Sequence, residues 1–195
     1  FLVTWTDNLD APAFVEDFVA HHLELRSTWR PAAWSLELGV WADGSPIGVQ
    51  GLRADGFGRQ RMALSASWLA LPQHRRGYGT EMRAAILELA FRGLGAVAAG
   101  SGALEGNVAS ARISAKLGYA EAGERRPLRG GEPGRERGFL LTRERWEQVE
   151  RLPVEIAGLE PCLPLFGLPG APGDSPDRVA YRPRMSAERA DRLRA

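Results

Sequence analysis

The spacing of apolar and polar residues divides the chain into helices and strands. Apolar residues recur at helical spacing between residues 11 and 30, which predicts a helix that Pro31 ends. Three stretches then alternate with period two, at residues 34–41, 46–53 and 62–71. Turn residues separate these stretches, so the pattern predicts an antiparallel meander.

The apolar period changes again after the meander. Residues 80–94 predict a helix whose core face carries Met82, Ile86, Leu89 and Ala90. Residues 96–101 form a short apolar run that is typical of a buried strand. Further along we expect a helix at 107–117, two closing strands at 119–124 and 137–142, and a short helix at 143–151.

The composition changes after Arg151, and this change divides the chain in two. Seven of the 13 prolines lie in the last 45 residues, and proline removes backbone donors that helices and central strands need. We therefore expect a folded domain over residues 1–151 and a proline-rich, extended tail over residues 152–195. Apolar residues between Val154 and Phe166 predict that the tail packs on the domain or on a second subunit.

Composition and charge narrow the class of protein. The 195 residues are 44% hydrophobic and 25% charged, with a net charge of +1, as in ordinary globular proteins. No apolar run approaches the ~18 residues of a membrane span, and the balanced charge gives no general attraction to nucleic acid. Cys162 is the single cysteine, which excludes an internal disulfide. We expect a cytoplasmic protein without a signal peptide, whose native N-terminus precedes Phe1.

The clearest chemistry lies in the loop at residues 73–79, which reads QHRRGYG. The first turn of the helix after it leaves backbone N–H groups unpaired, and these groups attract phosphate oxygens. Gly77 and Gly79 let a ligand approach the backbone closely, and Arg75 and Arg76 add positive charge. The loop therefore predicts a phosphate-bearing ligand, although a strand-to-helix turn without a ligand has the same composition.

A second motif lies one strand further along. Residues 105–119 read EGNVASARISAKLGY, with Asn107 placed to cap a helix and Gly118 placed to end it. The order strand, RRGYGT, helix, strand, N-x-x-S, helix, L-G-Y resembles the GNAT superfamily of acyl-CoA-dependent N-acetyltransferases. Within it the chain is most similar to the Rim-type branch, which acetylates protein N-termini and small amines. The resemblance covers residues ~34 to 145.

The resemblance implies a fold, a co-substrate and a set of binding residues. The fold class is α+β: a central mixed, mostly antiparallel sheet flanked by helices, with a first strand that is incomplete before Leu9. Acetyl-CoA is the implied co-substrate, and no metal is implied. Loop amides would hold the CoA pyrophosphate, and the end of the third strand would separate from its parallel neighbour and pair with the pantetheine arm. The implied binding residues are Leu69, Ala70, Leu71, Arg75, Arg76, Gly77, Tyr78, Gly79, Thr80, Asn107 and Ser110.

The resemblance implies fewer catalytic residues. In acetyl transfer a neutral amine attacks the thioester, an oxyanion forms and a thiolate leaves, so a base, an oxyanion donor and an acid all help. A strand amide near Leu69 is the implied oxyanion donor. Ser114 stands where many members have a tyrosine that serves the thiolate, although an ordinary helix serine is the alternative. Met62 and Leu64 stand where relatives often have a glutamate, so the candidate base is Glu37 acting through water.

Several other side chains are weaker candidates. His21 and His22 lie on the first helix, where a packing or surface role is usual and a ligand or base role is the alternative. Trp29 and Trp34 flank the Pro31 bend; the first interpretation of both is a core or groove-wall residue, and the alternative is that they line an acceptor pocket. His74 departs from the Gln or Arg that the family prefers at this point of the loop.

Three functions of different classes fit these features. The first is transfer of acetyl from acetyl-CoA to a primary amine, either a protein N-terminus or a small molecule. The second is a non-catalytic acyl-CoA-binding or sensor module, which the departures at His74 and Met62 favour. The third is RNA binding by the arginines between residues 125 and 137, but nucleic acid is not an expected partner. A homodimer is compatible with the apolar tail.

Overall fold

The apolar pattern folds into a six-stranded sheet with helices on both of its faces. The computed structural model describes residues 10–129, 132–150 and 153–170; the expected first strand and the end of the tail lie outside these residues. The helices are α1 (Phe14–Ser27), α2 (Phe57–Gln60), α3 (Tyr78–Glu88), α4 (Val108–Lys116) and α5 (Arg143–Glu147). The strands are β1 (Ala33–Ala42), β2 (Ser45–Asp55), β3 (Met62–Leu69), β4 (Ala98–Leu104), β5 (Ala120–Arg125), β6 (Leu128–Arg129), β7 (Glu132–Pro133) and β8 (Glu136–Thr142).

The strand order confirms the predicted fold class. The main sheet runs β1-β2-β3-β4-β8-β5, and every neighbouring pair is antiparallel except β3 and β4, which are parallel. A parallel pair needs a crossover connection, and α3 provides it. Between β5 and β8, the short strands β6 and β7 pair with each other in an antiparallel ladder.

The register assigns each side chain to one face of the sheet. Glu37, Gly51 and Ala66 lie opposite one another on β1, β2 and β3, so their side chains share a face. Their neighbours Leu38, Gln50 and Ser67 form the next row and point to the opposite face. Because His22 of α1 contacts Glu37 and Arg83 of α3 contacts Ser67, α1 and α3 lie on opposite faces.

The hydrophobic core lies under α3, and Met82, Ile86 and Ala90, three of the four residues expected on its core face, are buried. Arg83, Ile86, Leu87 and Ala90 are buried at i, i+3, i+4 and i+7, whereas Leu89 is only partly buried. The α-helix ends at Glu88 and continues as one turn of π-helix, Leu89–Gly93, instead of running regularly to residue 94. No helix in the described part of the chain is both long and apolar enough to cross a membrane.

Residues 153–170 pack on the body of the protein. They include the 3-10 helix Glu160–Phe166, so this part of the tail is not extended throughout. Phe166 is buried, and its ring centroid lies 5.4 Å from that of Trp29 and 4.9 Å from that of Trp34. The Trp29 indole also donates a hydrogen bond to the Leu165 carbonyl at 2.8 Å. Trp34 is therefore a core residue, and Trp29 is a partly buried residue that packs against the core. A role for Trp29 in an acceptor pocket stays a prediction.

Candidate active site

The parallel strands β3 and β4 separate at one end and leave a wedge between them. They pair from Met62 with Ala98 to Ser65 with Ser101, but β3 continues to Leu69 and β4 to Leu104. Residues 66–69 thus have no strand partner on the β4 side. An open strand edge offers N–H and C=O groups to an extended ligand. The separation starts at Ala66, three residues earlier than the sequence predicted.

The backbone after β3 is partly committed to the protein itself. The Nε2 atom of His74 lies 2.9 Å from the Leu69 carbonyl oxygen, and the Ala70 N–H donates to the Ile47 carbonyl at 2.9 Å. Leu71 is 78% exposed and begins a 3-10 turn. Of the three residues expected to contact pantetheine, only Leu69 therefore lies on the strand. The His74 contact gives a structural reason for the residue that departs from the family pattern.

The loop between β3 and α3 presents a run of unpaired backbone donors. Arg75 and Gly77 both have positive φ, at 60° and 92°. The N–H groups of residues 75–79 donate no hydrogen bond to any described residue, whereas the Thr80 N–H donates to the Gly77 carbonyl at 2.9 Å. Successive free amides next to left-handed residues form a concave anion site, or nest. The nest thus has five free amides, and the amide of Thr80 is already paired.

The two loop arginines differ in how firmly they are held. The Arg76 guanidinium donates to the Gln73 side chain at 2.7 Å and lies over the Tyr78 ring at 5.5 Å. Arg75 is exposed and forms no hydrogen bond or ion pair with the described residues. A phosphate in the nest would have one positioned cation beside it and one that is free to approach.

Helix α4 packs against α3, and Asn107 has a structural role at the start of α4. Its Oδ1 atom accepts a hydrogen bond from the Ser110 N–H at 3.1 Å, which caps the helix. A Cβ at Gly79 would lie 3.0 Å from the Ile113 side chain, so Gly79 allows α3 and α4 to approach. The Asn107 amide nitrogen and the Ser110 hydroxyl form no hydrogen bond with the described residues, so both are free to contact a ligand.

The two candidate catalytic residues lie on opposite faces of the sheet. Ser114 is fully buried on α4, and its hydroxyl has no hydrogen-bond partner among the described residues. Glu37 is on β1, where its carboxylate lies 2.9 Å from Nδ1 of His22 on α1. The structure does not bring the two side chains together. They can act on one substrate only through the wedge, where the sheet is open.

The His22–Glu37 pair lies on the α1 side of the sheet, which we call the open face. Glu37 is in the same row of side chains as Ala66, where the wedge starts. Glu37 is two strands from Ala66 in the same row, a distance of about 10 Å between backbones. The His22 ring packs edge-on against Phe18 at 4.4 Å, and its Nε2 atom has no partner among the described residues. A carboxylate that holds one ring nitrogen leaves the other free to accept a proton.

Sequence reasoning missed a buried polar cluster on the α3 side of the wedge. Arg83 is 4% exposed and donates to Ser101 at 2.7 Å and to Ser67 at 3.2 Å. Tyr119 lies beside Ser65 and Arg83 without a hydrogen bond of normal geometry to either. Burial raises the pKa of the Tyr119 hydroxyl, and the Arg83 charge opposes part of that rise. The available signal was an arginine at a core position of α3, three residues before Ile86.

Comparison with known proteins identifies the family. The sequence model of a family described as an acetyltransferase (GNAT) domain matches residues 2–120, more than half of the chain. The chain therefore belongs to the GNAT acetyltransferase family, in which acetyl-CoA supplies the acetyl group.

Solved structures share the fold at low sequence identity. RimJ from Mycobacterium smegmatis, in complex with CoA-disulfide, is 20% identical with a TM-score of 0.63 over 71% of this chain and 66% of its own. A chimera of spermidine N-acetyltransferase SpeG from Vibrio cholerae and hSSAT is 13% identical with a TM-score of 0.57 over 71% of this chain and 84% of its own. At these identities the likeness is one of fold.

Proposed function

We propose that this protein is an N-acetyltransferase that moves the acetyl group of acetyl-CoA to a primary amine by direct attack on the thioester. One observation carries the proposal: the five free amides of the loop, residues 75–79, follow the unpaired edge of β3 after one short 3-10 turn. A diphosphate and the amide-containing arm attached to it need these two features side by side. Membership of the GNAT family supplies the chemistry.

In this proposal the loop holds the diphosphate and the wedge holds the pantetheine arm. The amides of Arg75, Arg76, Gly77, Tyr78 and Gly79 bind phosphate oxygens, with the Arg75 and Arg76 side chains beside them. Leu69 and the residues before it pair with the arm, while Asn107 and Ser110 contact it from α4. We assign Ala70, Leu71 and Thr80 to the same site. The backbone N–H groups of Ala70 and Thr80 already donate hydrogen bonds within the protein.

The reaction needs a proton acceptor on the open face and a donor near the sulfur. We place the acceptor at the His22–Glu37 pair: Glu37 orients the ring, and the free Nε2 atom takes the amine proton directly or through one water. An amide of the freed β3 edge donates to the oxyanion. Ser114 approaches the departing sulfur from α4. Trp68 is 37% exposed on the open face and would form one wall of the acceptor site.

The acceptor we propose is a protein N-terminus or a small primary amine, as in the Rim-type branch. The fold shared with RimJ supports that branch, but the fold shared with the SpeG chimera supports a small amine equally. Ala66 and Trp68 are exposed on the open face, which favours neither kind of acceptor over the other.

A non-catalytic acyl-CoA-binding module is the second candidate. It is favoured by the absence of a carboxylate on β3, since Met62 and Leu64 occupy the expected positions, and by the complete burial of Ser114. RNA binding is less favoured because three of the arginines between residues 125 and 137 form ion pairs with carboxylates. The pairs are Arg125 with Glu136, Arg135 with Glu124, and Arg137 with Glu121.

Two measurements on the purified chain test the proposal. Calorimetry with CoA and acetyl-CoA should give saturable binding, and no heat with either ligand would contradict both candidates. Release of free thiol from acetyl-CoA should then accelerate with at least one amine from a panel of N-terminal peptides, polyamines and small amines. Saturable binding without turnover on any amine would leave the module as the better description.

A further inference from the structure

The wedge contains a buried arginine that has no acidic partner. Arg83 is 4% exposed, and no described aspartate or glutamate forms an ion pair with it. Its guanidinium donates to the hydroxyls of Ser67 and Ser101, while its Nε atom has no partner. A buried charge is strongly destabilising unless it is paired. An arginine held only by neutral hydroxyls therefore suggests that negative charge appears nearby during function.

Arg83 lies at the point where β3 and β4 separate. Ser101 on β4 belongs to the last pair of the ladder, opposite Ser65. Ser67 lies two residues further along β3, on the same face but on the separating segment. Arg83 thus spans the mouth of the wedge from the α3 side, with one contact on each strand.

The direction of these hydrogen bonds leaves the serine protons free. A guanidinium has only donors, so the hydroxyl oxygens of Ser67 and Ser101 must be acceptors. Neither serine forms a hydrogen bond with another described residue. The Ser67 O–H can therefore donate. The positive charge of Arg83, which donates to the same oxygen, makes this O–H a stronger donor. Ser67 is half-buried, whereas Ser101 is buried, so Ser67 is the more accessible of the two serines.

Other unpaired polar atoms lie around the same mouth. Gln50 stands opposite Ser67 on β2 with its Oε1 atom unpaired, and the Tyr119 hydroxyl beside Arg83 is unpaired as well. Native cores leave few such atoms, and each needs an explanation. The titratable groups at the cluster are Arg83 from α3 and Tyr119 before β5, while β3 and β4 contribute only serines. Burial raises the pKa of Tyr119, which keeps it neutral, so the local charge is positive.

We propose that the Ser67 hydroxyl, held and polarised by Arg83, donates a hydrogen bond to the CoA sulfur as it leaves. This inference rests on the proposed function, which places the thioester at the mouth of the wedge. Ser67 is then a catalytic residue because it touches the reacting sulfur, and Arg83 is a positioning residue that acts through it. Ser114 would approach the same sulfur from α4.

The step balances without any further reactant. The amine nitrogen forms a bond to the acetyl carbon, and its proton goes to the base on the open face. The C–S bond breaks with its electron pair on sulfur, which makes a thiolate. Ser67 keeps its proton and stabilises the thiolate by a hydrogen bond, and solvent then protonates the sulfur.

Binding of free CoA tests this idea without a known acceptor. We compare the affinities of CoA and of its S-methyl thioether by calorimetry at about pH 7 and about pH 9.5, on either side of a thiol's ordinary range. If the site favours the thiolate, the ratio of CoA affinity to thioether affinity should rise about fivefold or more with pH in the wild type. The thioether cannot ionise, so it corrects for every other titrating group.

Single substitutions assign the effect to its residues. Ser67→Ala and Arg83→Met should hold the ratio within about twofold over the same pH range, while Ser35→Ala, a β1 serine outside the cluster, should keep the wild-type rise. Ser67→Ala removes one atom, so it decides the question even if Arg83→Met fails to fold. A rise that is lost in Ser114→Ala but kept in Ser67→Ala would overturn the inference.

The wild type alone separates this inference from the proposed function. If both ligands bind and their ratio does not change with pH, the Ser67 role is wrong and the CoA site stands. If neither ligand binds, the proposed function is wrong and the Ser67 role falls with it.

Discussion

At the scale of single residues, the loop depends on two left-handed backbone positions. Gly77 has a φ of 92° and caps α3, and Arg75 has a φ of 60° although it is not glycine. A left-handed conformation costs an L residue roughly 1–2 kcal/mol, and such strain is concentrated at ligand sites. The strain at Arg75 is therefore consistent with a loop selected for the direction of its amides.

Replacing Gly77 tests the nest directly. A Cβ at this position would meet no atom within 4 Å, so Gly77→Ala should fold, but its φ preference would turn the neighbouring amides away from the ligand. We expect CoA affinity to fall about tenfold or more by calorimetry. Gly44→Ala is the matched control, since Gly44 has a φ of 74° and equally open surroundings in a hairpin turn. Equal CoA affinity in the two variants would remove the nest from the site.

The His22–Glu37 pair gives a second prediction at this scale. With the best acceptor of the amine panel, His22→Ala and Glu37→Gln should each lower kcat by about 100-fold, because both leave the amine proton without an oriented base. The KM for acetyl-CoA should not change, since neither residue lies near the loop. Added imidazole should restore activity to His22→Ala but not to Glu37→Gln, because only the first variant lacks a ring. His21→Ala is the control, and rates close to wild type in His22→Ala would exclude the pair.

At the scale of elements, the periodicity was enough to predict the meander, the crossover helix and the closing strands. The start of the wedge was not predictable, because pairing between β3 and β4 depends on residues 36 positions apart, from Ser65 to Ser101. Leu69–Leu71 carry no local signal that the ladder has already ended. The nest was predictable because Gly77 and the helix start are neighbours in sequence.

The sequence contained a signal for Arg83 but none for the other members of its cluster. An arginine at a core position of an amphipathic helix is a readable anomaly, since Ile86, Leu87 and Ala90 complete its face. Its partners could not be identified, because Ser67 and Ser101 come from two different strands. For the same reason Glu37 and His22 were named separately, and their pairing across two elements was not predicted.

Asn107 allows capping and ligand binding to be separated. Asn107→Ala should lower the free energy of unfolding by about 1 kcal/mol, because the Ser110 N–H loses its acceptor. Asn107→Asp keeps an acceptor oxygen and should keep the stability, but it replaces the free amide donor with a negative charge. If Asn107 also contacts CoA, the aspartate variant should bind it more weakly at unchanged stability. Equal affinity in the wild type and the aspartate variant would leave Asn107 with the cap alone.

At the scale of the whole molecule, the wedge connects two faces that otherwise have separate roles. One face carries α1, the His22–Glu37 pair and the exposed Trp68. The other carries α3, with the core and the Arg83 cluster. If the proposed function is right, the opening between β3 and β4 lets a base on one face and hydroxyls on the other reach the same thioester. The tail packs on the second face, where Phe166 contacts Trp34 near the start of β1.

The packed part of the tail should stabilise the fold without taking part in binding. Phe166→Ala would open a cavity between Trp29 and Trp34, and we expect a loss of about 3–5 kcal/mol of unfolding free energy in denaturant titrations. Tryptophan fluorescence should shift to the red in the folded variant, because the two indoles gain contact with water. Glu160→Ala, an exposed residue on the same 3-10 helix, should leave both readouts unchanged.

CoA affinity should be equal in all three proteins below the unfolding transition, because the nest and the wedge are built by β3, β4, α3 and α4. A weaker affinity in Phe166→Ala alone would instead mean that the tail supports the site, and an unchanged stability would mean that Phe166 is not part of the core.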